Sequence, residues 1–325
     1  MRWTLAIACA LPITANAFGP ANAKDTGHIF VSSEKSSTIT VLDASNAVLS
    51  VVKSCARPRG MRFAPGRTSI YVACGDDNAI AVYDVNSMKL VRRYDRIPDP
   101  EMFDIDPKGE LFIANEDDAE LTILDPVSGS IIARYATGEE PEGVLVTPDG
   151  KRAFVTSEAA DLVHVIDPVA RTELKSIIVH TRPRRLALTP DGKELWVSCE
   201  IGGVVDIIDL SRLEVVGTIA FLPPGMRQEM VTPVDLTMMK DGSRAYVSLG
   251  RANHVAVVDV ASREVLGYIL VGKRPWGLAL TADESKLYVT NGLSDDVAVV
   301  DTASAAAITS IPVGQTPHSI LIDDH

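Results

Sequence analysis

The chain has 325 residues, 46% of them apolar, and a formal charge of −12 at neutral pH. That length admits two ordinary domains or one large all-β domain, and the acidic balance argues against general binding to nucleic acid or anionic membranes. No uninterrupted apolar stretch reaches the roughly 20 residues that a membrane-spanning helix needs.

Residues 1–23 read as an export signal, with Arg2 as the positive start, an apolar run from Leu5 to Ile13 and a small-residue cleavage site at Ala15-Asn16-Ala17 or, the favoured one, Ala21-Asn22-Ala23. Cleavage there makes Lys24 the first residue, removes Arg2 so that −12 becomes −13, and delivers the product to the periplasm. Cys9 leaves with the signal. Cys55, Cys74 and Cys199 remain, an odd number in an oxidising compartment. No Cys-x-x-Cys-His occurs, so no c-type haem is attached by the usual route.

Beyond the signal the chain repeats itself. Short strands begin at Phe30, Tyr71, Phe112, Phe154, Trp196, Tyr246 and Tyr288, at spacings of 41, 41, 42, 42, 50 and 42 residues. A column of aspartates, Asp43, Asp84, Asp125, Asp167, Asp209, Asp259 and Asp301, has the same spacings. A proline column, Pro58, Pro100, Pro141, Pro183, Pro233, Pro275 and Pro317, follows them to within one residue. In the unit around Asp301 the apolar pattern predicts strands over 276–281, 286–291, 296–301 and 307–312, rich in β-branched and aromatic residues. The first two are joined by turns such as Thr147-Pro148-Asp149-Gly150-Lys151, in which proline presets the bend and glycine supplies a positive φ. Each column aspartate, followed by Ser or Thr as in Asp84-Val85-Asn86-Ser87, reads as an Asx turn before the fourth strand.

Seven four-stranded units of this length define an all-β, seven-bladed β-propeller of antiparallel blades, with 24–325 forming a single domain. The chain enters at Ile29 on a second strand and ends on a first strand over 318–322, so its two ends share the closing blade and leave no open edge there.

Tyr288-Val289-Thr290-Asn291 and Val271-Gly272-Lys273-Arg274-Pro275 resemble the YVTN family of propeller repeats over residues 29–322. Within that family, the seven units, the leader and the enlarged fifth unit resemble small periplasmic propellers associated with catabolism dependent on pyrroloquinoline quinone. The resemblance implies a setting beside quinone-dependent alcohol oxidation and not a mechanism; the reading built on it is an accessory, non-catalytic binding role with a quinoprotein dehydrogenase or cytochrome c as partner. The chain departs from quinoprotein dehydrogenases themselves, whose blades carry a tryptophan docking motif; only three Trp occur here.

Candidate functional residues cluster in the loops entering the proline column, on the face where propellers usually bind ligands. Arg57, Arg59, Arg182, Arg184, Arg185, Lys273 and Arg274 predict a cationic arc, and Asp99, Glu101, Glu139, Glu140 and Glu142 an anionic arc facing it. The arginines suit a small carboxylate-bearing ligand or an acidic partner; alternatively the two sets pair and hold the ring shut. Trp276 and His318 lie on the same rim. The fifth unit's insert, with Phe221, Met226, Arg227 and Met230, reads as a stiffened binding loop with an adaptable apolar tip. Cys55 and Cys74 fall at one rim of one blade and are a candidate disulfide.

The histidines form no close ligand pair, so no metal centre is expected, nor any bound cofactor. The acid pairs Asp76/Asp77, Asp117/Asp118 and Asp295/Asp296 read as solvated hairpins rather than calcium sites. Signatures of common hydrolases, metalloproteases and dinucleotide binders are absent. The leading expectation is therefore a monomeric binding propeller without catalytic residues. A lactonase-type hydrolase using Glu140, Glu142, Arg182 and His318, or a cell-envelope structural module, stands as the alternative.

Overall fold

The computed structural model describes residues 25–325, and the leader proposed for residues 1–23 lies outside them. Twenty-eight strands form seven four-stranded antiparallel sheets arranged as propeller blades. The predicted unit around Asp301 is present as Pro275–Leu280, Lys286–Asn291, Asp296–Asp301 and Ala306–Pro312. We number the blades from the one holding Ile29–Ser33, Thr38–Leu42 and Val48–Lys53. Its first strand is the C-terminal Pro317–Ile322, paired antiparallel to Ile29–Ser33, so the two chain ends share blade 1.

Burial follows position within the blade. Second and third strands are almost wholly buried, whereas fourth strands such as Val48–Lys53 and Leu90–Asp95 face solvent. The apolar core is accordingly seven layers, one between each pair of neighbouring blades. Phe30 and Val41 of blade 1 pack with Met61, Val72 and Ala81 of blade 2, and the ring closes where Ile29, Val31 and Ile320 meet Tyr288, Val297 and Val299 of blade 7. No helix among the described residues is long and apolar enough to cross a membrane.

Two columns fix the blades to one another. The third residue of the repeat tetrapeptide is Ser or Thr in five blades, and its hydroxyl reaches a carbonyl of the next blade, in the first strand or, for Val234, just before it. Ser32 bonds Arg59 O at 2.9 Å, Thr156 Arg184 O at 2.9 Å, Ser198 Val234 O at 2.6 Å, Ser248 Trp276 O at 2.8 Å and Thr290 His318 O at 3.0 Å. Glycine lets the same strands approach. A Cβ on Gly143 would stand 2.0 Å from Arg184 O, and one on Gly277 2.4 Å from His318 O. The aspartate column forms the expected turns: Asp43 Oδ1 accepts the N–H groups of Ser45 and Ala47 at 2.8 and 2.9 Å.

Candidate ligand site at the mouth of the channel

The loops before the prolines are built alike. Arg57, Asp99, Glu140, Arg182, Arg274 and Thr316, each preceding its proline, adopt positive φ between 31° and 62°. The carbonyl of each accepts the N–H of the residue just after the second strand, as from Glu158 to Glu140 and Glu200 to Arg182, both at 2.8 Å. Each such loop thus brings to one face the residues before and after the proline and the residue after the second strand, the last being glycine beside Arg57 and Arg274.

The residues after the proline form a ring around the channel: Arg59, Glu101, Glu142, Arg184, Val234, Trp276 and His318. They are not a solvated rim. Arg59, Glu101, Glu142, Arg184 and His318 are all buried, and with Arg185 they plug the channel. Arg59 pairs with Glu101, with Glu34 at 2.9 Å and with Glu142 at 3.3 Å. Glu142 also takes Arg184 at 3.2 Å and Arg185. Burial alone would raise the Glu142 carboxyl, but Arg185, Arg184 and Arg59 hold it well below the usual range. Glu101 moves the other way, because burial and the nearby Glu142 charge outweigh Arg59 and Arg57. Burial next to Arg59 and Arg185 keeps the His318 imidazole neutral by pushing its pKa well down.

The expectation of two opposed arcs is corrected by this geometry. Cations and anions interleave, because carboxylates that follow the second strands insert between the arginines. Arg182 meets Glu158 at 2.6 Å and Glu200 at 3.2 Å, Arg184 meets both at 2.9 Å, and Arg57 spans Asp76, Asp99 and Glu101. Glu140 stands at the edge, 3.9 Å from Arg182. Leaving such a buried charge unpaired costs about 3–5 kcal/mol, so the network fixes the mouth. Glu34, Glu116, Glu158 and Glu200 were not singled out from the sequence. Their signal is nonetheless present: the residue after the tetrapeptide is Glu at these four and Gly at Gly75, Gly250 and Gly292.

At those three glycines no side chain is contributed to the mouth. The mouth holds a cavity of about 350 Å³ lined by Arg57, Arg59, Arg182, Arg184, Arg251 and Arg274 against Glu116, Glu142, Glu158 and Glu200, with Trp276 as a wall, so blades 2 to 7 all contribute. Arg274 and Arg184 lie 4.9 and 5.3 Å from the Trp276 ring centroid, and His318 packs on the same ring at 5.4 Å. Arg251 is exposed and has no ion pair among the described residues. Burial, then the like charges of Arg184, Arg251 and Arg182, lowers the Arg274 pKa even beside Glu200. Burial also pushes Glu158 up to about 7, with Glu142 and Glu200 adding to it against Arg184 and Arg182.

The fifth unit's insert differs from expectation. Phe221 is a core residue between blades 5 and 6, and Met226 packs against that layer. Only Leu222, Pro224, Gly225 and the stretch Arg227–Glu229 are exposed, Arg227 pairing with Glu229 at 3.2 Å while Met230 is half-buried. Cys55 and Cys74 are joined, their Cα atoms 5.7 Å apart, and Cys199 is a buried free thiol. Oxygens of Asp99, Glu101 and Glu116 lie within 4.8 Å of one another, but Arg57 and Arg59 already occupy the space beside Asp99 and Glu101.

Fold and site together define a seven-bladed propeller with a salt-bridged channel plug beneath a cation-rich mouth. The profile of YNCE-like β-propellers matches residues 20–284, and the chain belongs to that family. No curated protein matches it. Among solved structures it is similar to the periplasmic gluconolactonase PpgL of Pseudomonas aeruginosa, at 20% identity and TM-score 0.77, over 91% of this chain and 98% of that one. A putative 6-phosphogluconolactonase of Bacteroides uniformis gives 16% identity and TM-score 0.75 over 92% and 100%. The hydrazine synthase of Kuenenia stuttgartiensis gives 18% and 0.72 over 81% and 88%. At these identities the likeness is one of fold.

Proposed function

We propose that the chain is a non-catalytic binding propeller that takes a small anionic ligand at its mouth, beside Arg251, Arg274 and Trp276. The observation that carries this reading is Arg251, a cation without an ion pair among the described residues, at a cavity lined by six arginines and four glutamates in a chain whose net charge is −12. A carboxylate there would relieve the crowding of Arg251 and Arg274 while an apolar or planar face of the ligand lies on Trp276. Calorimetric titration with sugar acids and dicarboxylates at low ionic strength tests it. Binding is expected to weaken with salt and by about tenfold in Arg251→Ala, as for one lost charge-assisted contact. Heats absent for every anion, or indifferent to both Arg251→Ala and Arg274→Ala, would sink the reading.

A hydrolytic reading is favoured by one observation, the Glu158 carboxyl at about 7 between two arginines, a value suited to general acid–base work near neutrality. Turnover of a lactone that disappears in Glu158→Gln would replace the non-catalytic assignment. Export to the periplasm and a place beside quinone-dependent oxidation are proposed from the sequence alone, the first from the leader-like pattern of residues 1–23 and the second from the resemblance to small periplasmic propellers. Salt-sensitive capture of a quinoprotein dehydrogenase or cytochrome c from periplasmic extract is the corresponding test.

A further inference from the structure

Below the plug the channel widens again into a chamber of about 210 Å³ between the first strands. Since a water needs roughly 10–15 Å³ of such space, it holds on the order of ten waters or one small molecule. Arg62, Arg185, Asp235, Trp276 and His318 are among its polar walls.

Three features make it more than a solvent pocket. His318 Nε2 faces the Arg185 Nη2 donor at 3.3 Å, so in the neutral ring Nε2 accepts and Nδ1 carries the hydrogen. That Nδ1–H is buried without an acceptor, and so is the indole N–H of Trp276. A buried donor left unpaired is costly, and a ligand with acceptor oxygens removes that cost. Asp235 supplies the opposite polarity. Its two oxygens accept the N–H groups of Leu236 and Leu278 at 2.9 Å each, yet the residue keeps accessible surface and lines the chamber, leaving lone pairs for a hydroxyl. Arg62 is 39% exposed, and its nearest acid is Asp104 at 3.6 Å, so it can turn toward an anion.

We propose that this chamber is a second binding site, separate from the mouth, for a small hydroxylated carboxylate. The carboxylate accepts from His318, Trp276 and Arg62, and the hydroxyl donates to Asp235. The plug of Glu142, Arg184 and Arg185 lies between the two sites and Trp276 lines both, but Arg62 belongs to the chamber alone and Arg251 to the mouth alone, so substitutions there address each site separately.

Glycolate is the probe, titrated calorimetrically into the full chain at constant ionic strength, with acetate lacking the hydroxyl and glycerol lacking the carboxylate. Saturable glycolate binding is expected, about tenfold tighter than for either control, as for the loss of one good hydrogen bond. It should weaken about tenfold in His318→Phe and in Arg62→Met, and persist in Arg251→Ala. Arg62→Met alters a partly exposed side chain and keeps the test open where His318→Phe fails to fold. Three results overturn the proposal: no saturable heat with glycolate, equal affinity for acetate or glycerol, or binding lost in Arg251→Ala but intact in Arg62→Met.

Discussion

Glu158 sits between the guanidinium groups of Arg182 and Arg184, at 2.6 and 2.9 Å, in a place that only 3% of its side chain leaves exposed. Burial with two further glutamates raises its pKa from 4.5 to about 7 in the folded chain. The sign of the consequence follows from linkage. Between about 4.5 and 7 the folded state holds a proton that the unfolded state has released, so stability is full below that window and falls as pH rises through it. In Glu158→Gln that contribution is absent. The melting temperature of the native chain should therefore drop relative to Glu158→Gln between pH 5 and about 7.5, by an amount equivalent to at most about 3 kcal/mol. Parallel melting curves for the two proteins across this range would mean that Glu158 is ionised throughout.

At the scale of the strand, the hydroxyl column does work that the tetrapeptide spelling does not reveal. Thr290 Oγ1 accepts the Gly277 N–H at 2.8 Å and donates to the His318 carbonyl of the neighbouring blade at 3.0 Å. Replacing it with valine keeps the shape and leaves both backbone groups buried and unpaired. Thr290→Val should cost about 2 kcal/mol or more in denaturant unfolding, while Thr309→Val on an exposed fourth strand should stay within about 0.5 kcal/mol. Equal, small effects at both positions would show that the column is not a staple. The strands were legible because local patterning dictates them: alternation, turn residues and Asx aspartates each act within one unit. The staple was not, because its partner is supplied by the next blade, 28 residues on in the case of Thr290 and His318.

The whole ring extends that contrast. Spacing alone predicts seven blades and the shared blade, since closure depends only on which strand type each end carries. The mouth depends on which side chains from different blades fall side by side. Arg59 and Glu142 are 83 residues apart in sequence, and no column order dictates that they interleave rather than face each other. The closing blade is where the sequence argument is most exposed to test. Pro317–Ile322 pairs with Ile29–Ser33, places Ile320 and Ile322 in the core layer against blade 7, and brings Asp323 to Thr26 at 2.7 Å and Arg67 at 3.0 Å. Deleting residues 317–325 exposes the edge of Ile29–Ser33, opens that layer and removes His318 from the plug. Two buried isoleucines alone account for about 3–6 kcal/mol, so the truncated chain should be unfolded or melt far below the native chain. Removing only His325, whose side chain is 53% exposed, should leave the melting temperature unchanged. If the longer deletion melts like the shorter one, the C-terminal strand does not close the ring in solution.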